Sequence, residues 1–156
     1  MFLAFVLHFL SNYKNFGIKT FQAEDEIAGV CSAIGAAFAG DLAVTASSGP
    51  GIALKGEAIG LATITELPLV IINIQRGGPS TGMPTRTQQS DILTCAYASH
   101  GDTKHILLLP SDPNECFEFG YKAFDYAEKF QTPIMVLSDL DIGMNDWVVD
   151  QFKWDD

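Results

Sequence analysis

Basic residues are scarce in this chain. Nine Lys and Arg face nineteen Asp and Glu, for a net charge of −10. So acidic a surface repels nucleic acid and anionic membranes, and neither is an expected partner. Cysteine is equally sparse: Cys31, Cys95 and Cys116 lie far apart, with no Cys-x-x-Cys and no nearby histidine pair. That excludes a zinc knuckle or an iron–sulfur cluster held by this chain alone, and no metal ligand is assigned. The pattern suits reduced thiols in a cytoplasmic protein, each a small core residue rather than a nucleophile. No apolar run is long enough to span a bilayer. The stretch 1–10 comes closest, but it lacks a basic leader and a small-residue cleavage site. Phe2, Phe5, Val6, Phe9, Leu10 and Tyr13 fall at helical spacing, which predicts an amphipathic helix over 3–13 with a core-facing stripe. A P-loop is also missing, because Lys55 follows Leu54 rather than the required glycine. His8, His100 and His105 are scattered and read as structural.

What is present is an alternation of helical and strand-like segments within 156 residues, enough for one domain with a sizeable core. Strands are predicted at 18–21, 42–46, 69–74, 105–109 and 134–138, and helices at 24–39, 51–65, 88–98 and from Asp112 to about Phe130. Gly40 is a natural end for the second helix, and Asp112-Pro113-Asn114-Glu115 has the form of a helix start. Apolar strands separated by helices indicate a three-layer α/β fold, a mostly parallel sheet with helices on both faces. The domain is expected to span 1–138. Residues 139–156 read as an acidic tail without clear period, leading toward a further domain.

Three groups at predicted strand ends could carry chemistry. Gln22-Ala23-Glu24-Asp25-Glu26 opens the helix rich in small residues. Its carboxylates suit the positive end of a helix dipole, and Glu26, next to the apolar run, is expected to be partly buried and able to share a proton with a ligand nitrogen. Ordinary helix charge accounts for the group as well. Thr45-Ala46-Ser47-Ser48-Gly49-Pro50-Gly51 could cradle an anion or ligand at a helix N-terminus, and a tight turn explains it equally. The third group follows the apolar strand 69–74: Gln75 and Arg76, then a loop with Gly77, Gly78, Pro79, Ser80, Thr81, Gly82, Pro84 and Thr85. Open α/β sheets place ligands at such carboxyl ends, and the planar fork of Arg76 suits a carboxylate; a surface loop with a solvated arginine is the rival reading.

These three segments, in this order, resemble the α subunit of 2-oxoacid:ferredoxin oxidoreductases, above all the 2-oxoglutarate type. The likeness runs from about His8 to the end of the chain. It implies the pyrimidine-binding domain of a thiamine diphosphate enzyme, paired with a β subunit that supplies magnesium and an iron–sulfur cluster. The implied reaction is oxidative decarboxylation of a 2-oxoacid to its acyl-coenzyme A, with electrons passed to ferredoxin. By the same resemblance, Glu26 is the catalytic carboxylate on the aminopyrimidine. Ser47, Ser48, Gly49, Pro50 and Gly51 line the cofactor and the subunit interface. Arg76 binds the substrate carboxylate, and Thr85 shapes its pocket. Family members carry a Tyr-Pro-Ile-Thr-Pro segment before the first helix, which residues 1–6 do not match. A truncated α subunit, inactive alone, is therefore expected. A non-catalytic assembly module of the same fold, and a free-standing anion-binding domain, are the alternative readings.

Overall fold

The computed structural model describes residues 2–152, with side chains from Val6 onward. Its elements, in chain order, are α1 (Phe2–Ser11), α2 (Glu26–Phe38), β1 (Val44–Ser47), α3 (Gly49–Leu54), α4 (Gly56–Ile64), β2 (Leu69–Gln75), α5 (Ile92–Ala96), β3 (Ile106–Leu108), α6 (Pro113–Phe130), β4 (Pro133–Asp139) and α7 (Leu140–Met144). The four strands form one sheet in the order β1-β2-β4-β3, and every pairing is parallel. Parallel neighbours need crossover connections, which the helices provide.

Helices cover both faces, as the composition of the strands requires. Leu69, Ile71, Met135 and Leu137 point to one side and meet Val30, Ile34, Ile52 and Ile59 of α2, α3 and α4. Val70, Ile134 and Val136 point to the other and meet Ala123 and Ala127 of α6. Two of the helices are fixed by their ends. The α6 cap is the one legible in the sequence: the Asp112 carboxylate accepts from Glu115 N, 2.9 Å away. Helix α2 closes through Gly40 N to Ala37 O and Asp41 N to Ala36 O, both 3.0 Å, with Gly40 in the left-handed region at φ +90°.

Several expectations need correction. Residues 18–21 pair with no strand; the segment holds Lys19 and Thr20 and leaves Phe21 exposed, so it offers a neighbour little apolar surface. The sheet therefore has four strands, with β1 at its edge. The stripe on α1 does not face the core, since Phe9 is 60% exposed and Tyr13 is also open to solvent. Phe2 and Phe5 of that stripe lie where side chains are not described. The helix expected over 51–65 divides at Lys55, whose ψ of −4° departs from the helical value of about −42°. The helix expected over 88–98 shrinks to α5, because the residues before it bond to strands and loop instead. Gln88 Oε1 accepts from Gly78 N at 3.0 Å, and Asp91 N donates to Gln75 Oε1 at 3.1 Å. Cys95 is buried as expected, but Cys31 is exposed and Cys116 only half-buried. Past 138, where no period was legible, the Asp139 carboxylate caps the short α7 by accepting from Asp141 N and Ile142 N.

The contrast between core and periphery is measurable. Ile71→Ala, at a fully buried position, is expected to cost ~2–5 kcal/mol in urea unfolding. Phe16→Ala, at a position 75% exposed, should change stability by less than about 0.5 kcal/mol.

Candidate active site

A parallel sheet sends every strand's carboxyl end to one edge. Ser47 of β1 stands beside Asn73 of β2, and Gln75 of β2 beside Asp139 of β4. All four are buried, so the apolar strands turn polar at the same level. The three groups singled out in the sequence gather at this edge.

The first group is set by the start of α2. Asp25, not Glu26, caps the helix, its carboxylate accepting from Ala28 N at 2.7 Å. Glu26 is thus the first helical residue, and it is exposed rather than partly buried: its carboxylate leaves the tip of the helix toward solvent. Only its stem is packed. A Cβ on Gly51 would lie 2.7 Å from Glu26 Cγ and 1.9 Å from Ser47 Oγ, so no side chain fits where α2, α3 and β1 converge.

The second and third groups join through a hydrogen bond. Ser48 precedes α3 but makes no capping bond; its Oγ accepts from Arg76 Nε at 2.9 Å. Arg76 Nη1 also donates to Thr81 O at 2.6 Å, which ties the glycine-rich loop to the end of β2. A guanidinium has five N–H donors, so three remain for a ligand. The loop is closed on itself by Gly77 N to Arg86 O at 2.7 Å and Met83 N to Gly77 O at 2.8 Å. Thr85 lies exposed in this loop, and no hydrogen bond connects its hydroxyl to Arg76.

Lys55 is a buried charge at this edge that sequence reasoning missed. It is 1% exposed, and its ammonium donates to Thr45 Oγ1 at 2.9 Å. Burial lowers its pKa from 10.5 to about 8, against the opposing pull of the negative charge on Glu26. Its only trace in the sequence is a lone cation one helical turn after Gly51. A second overlooked cluster lies behind the loop. Asn73 Nδ2 donates to Asp91 Oδ2 at 3.1 Å and to Cys95 Sγ at 3.4 Å, and Gln89 Nε2 donates to Asp139 Oδ2 at 2.5 Å. Asn73 and Gln75, two apart in an apolar strand, were the signal for it. Burial raises the Cys95 pKa, which keeps it a thiol. Among the described residues, no group of three or more His, Cys, Asp or Glu is placed to hold a metal ion. No described helix is long and apolar enough to cross a membrane.

Residues 5–147 match the family described as "Pyruvate flavodoxin/ferredoxin oxidoreductase, thiamine diP-bdg". The chain belongs to this thiamine diphosphate-binding oxidoreductase family. Similar proteins include the 2-oxoglutarate oxidoreductase subunit KorA of Mycobacterium tuberculosis, 53% identical over 86% of this chain and 20% of that subunit. The 2-oxoglutarate synthase subunit KorA of Methanocaldococcus jannaschii is 48% identical over 78% of this chain and 33% of its own length. Among solved structures, the 2-oxoglutarate:ferredoxin oxidoreductase of Magnetococcus marinus, with 2-oxoglutarate, coenzyme A and succinyl-CoA bound, superposes with a TM-score of 0.83. It is 41% identical, and the match covers 85% of this chain and 23% of that one. The chain thus spans a fifth to a third of the length of these relatives. The family assignment and the α/β fold expected from the sequence both hold.

Two predictions follow from this packing. Gly51→Ala should cost ~1–3 kcal/mol by overpacking, and adding Ser47→Ala should recover part of the loss in urea unfolding. For Lys55, the unfolded chain holds its proton up to pH 10.5 and the folded chain only to about 8. Between those values the unfolded state binds more protons, so this group makes stability rise with pH. Relative to wild type, Lys55→Met should lack that rise when unfolding free energies are measured across the same range.

Proposed function

We propose that this chain forms the aminopyrimidine side of a thiamine diphosphate site in the α subunit of a 2-oxoacid:ferredoxin oxidoreductase, with 2-oxoglutarate as the preferred 2-oxoacid. The whole reaction is oxidative decarboxylation of the 2-oxoacid to its acyl-coenzyme A, with electrons passed to ferredoxin. A β subunit supplies the diphosphate and magnesium ligands and the iron–sulfur cluster, and the hetero-oligomer is cytoplasmic. The observation that carries this reading is the meeting of Glu26, Ser47–Gly51 and Arg76 at one sheet edge, in a chain of the thiamine diphosphate-binding family. The identities of 41–53% with 2-oxoglutarate enzymes support the choice of substrate.

The side chains at this edge suit the cofactor. Among the described residues, none donates a hydrogen bond to the Glu26 carboxylate, so it is available to an outside ring nitrogen. When bound, thiamine diphosphate supplies the carbon nucleophile that adds to the 2-oxoacid and the electron sink that releases carbon dioxide. Glu26 would share a proton with the aminopyrimidine, acting as general acid and base. Ser47, Ser48, Gly49, Pro50 and Gly51 would present a close backbone surface to the ring. Arg76, its Nε occupied by Ser48, would offer its remaining N–H donors to the substrate carboxylate, and Thr85 would bound the pocket from the loop.

The chain assembled with a β subunit provides the test. Glu26→Gln should lower 2-oxoglutarate-dependent ferredoxin reduction by ~10²–10⁴-fold while circular dichroism and assembly stay unchanged. Near-normal turnover of that variant would remove Glu26 from its assigned role. Arg76→Lys should raise KM for the 2-oxoacid more than it lowers kcat, because uniform binding of the carboxylate is what it weakens.

A further inference from the structure

We propose that Lys55 is the positioning residue behind Glu26: a positive charge sealed inside the domain that offsets the desolvation of the outward-facing carboxylate once the cofactor and a partner chain cover it, so that its proton can pass to the ring nitrogen. The inference rests on the reading of Glu26 as the cofactor-facing carboxylate.

Four contacts build the arrangement. Gly51 of α3 lies against Glu26 Cγ, and Lys55 follows one turn later, its N–H bonded to Gly51 O at 3.1 Å. Gly29 of α2 lies one turn after Glu26, where a Cβ would be 3.9 Å from Thr45 Oγ1, the atom that accepts from Lys55 Nζ at 2.9 Å. Lys55 and Thr45 thus sit beneath the crossing that carries Glu26. An ammonium has three donors, and a single protein acceptor is a poor return for burying it unless a negative charge lies nearby.

Neighbouring carboxylates are engaged elsewhere. Asp25 caps α2, Glu57 pairs with His100 at 3.5 Å, and Asp91 accepts from Asn73. The charge of Glu26 opposes the lowering of the Lys55 pKa by burial. No carboxylate among the described residues lies within ion-pair distance of the ammonium, so the coupling acts through space. Covering a carboxylate disfavours its charged form, and water that now stabilises Glu26 would be displaced. Lys55 would remain, because it is already shielded on the protein side.

The pairing is tested without cofactor, and its use is tested with it. In the full chain carrying ¹³Cε-lysine, NMR titration should show the Lys55 midpoint of about 8 falling in Glu26→Gln, since the charge that raises it is gone. An unmoved midpoint overturns the proposal. In the complex with a β subunit, calorimetry with thiamine diphosphate should show Lys55→Met weakening binding by about tenfold, but by less than about twofold in the Glu26→Gln background. Equal losses in both backgrounds would mean a packing role and overturn it. Should Lys55→Met fail to assemble, Lys55→Gln, which keeps a donor for Thr45 Oγ1 while removing the charge, takes its place in the cycle. A Glu26→Gln complex with near-normal turnover would sink the functional reading and this use of Lys55 with it. The cofactor-free titration reports on the pairing separately, so the two failures are distinct.

Discussion

The parallel pairing of β2 with β4, through seven positions from Leu69 beside Pro133 to Gln75 beside Asp139, is the constraint on which the other features depend. Its apolar middle binds helices to both faces, and its length decides where the polar residues end up. Because strand side chains alternate, Leu69, Ile71, Asn73 and Gln75 share one face. The two apolar members anchor α2, α3 and α4, while the two polar ones hold Asp91 and Cys95 at the edge. A slip of one residue would turn both sets to the wrong side at once.

How much of this was legible differs from element to element for physical reasons. Strands β2 and β4 were readable because two-sided burial writes a continuous apolar run, and α6 because Pro113 and the Asp112 cap are local signals. The segment at 18–21, Ile-Lys-Thr-Phe, was read as a short strand, but pairing is a non-local property that four residues cannot announce. Before α5, Gln88 and Asp91 are held by bonds with Gly78 and Gln75, partners distant in sequence, rather than by a helix. At the site, Glu26, Ser48 and Arg76 were visible as types at strand ends. The bond from Arg76 to Ser48 joins residues 28 apart in the chain, so spacing alone could not show it. Lys55 was invisible for a plainer reason: lysine is normally a surface residue, and nothing local marks a buried one.

The location of charge at the edge follows a consistent logic. The carboxylate of Glu26 is outside, at the positive end of a helix, while the ammonium of Lys55 is inside and hydrogen-bonded to a strand hydroxyl. Reversing the two would bury an acid and expose a lysine that could not hold a fixed position, given its flexible stem. Arg76 is treated differently again. Two of its donors are committed to Ser48 and Thr81, which sacrifices some binding capacity for a fixed orientation. A guanidinium whose direction is already fixed loses less entropy in any further bond it makes.

Surface area bears on whether such an edge is complete. A compact monomer of 16.9 kDa exposes about 7,700 Å², whereas this chain exposes 9872 Å². The excess, about 2,200 Å², is more than the roughly 800 Å² that each partner contributes to a standard interface. Much of what is open is apolar: Phe38, Ile64, Phe16 and Phe9 are each more than half exposed. Isolated apolar residues on a surface mean little, but this many aromatic and branched side chains carry a cost in water that association removes. The exposed Glu26 belongs to the same argument. Its carboxylate, at the start of α2, is solvated now and would lose that water wherever another surface came to cover it.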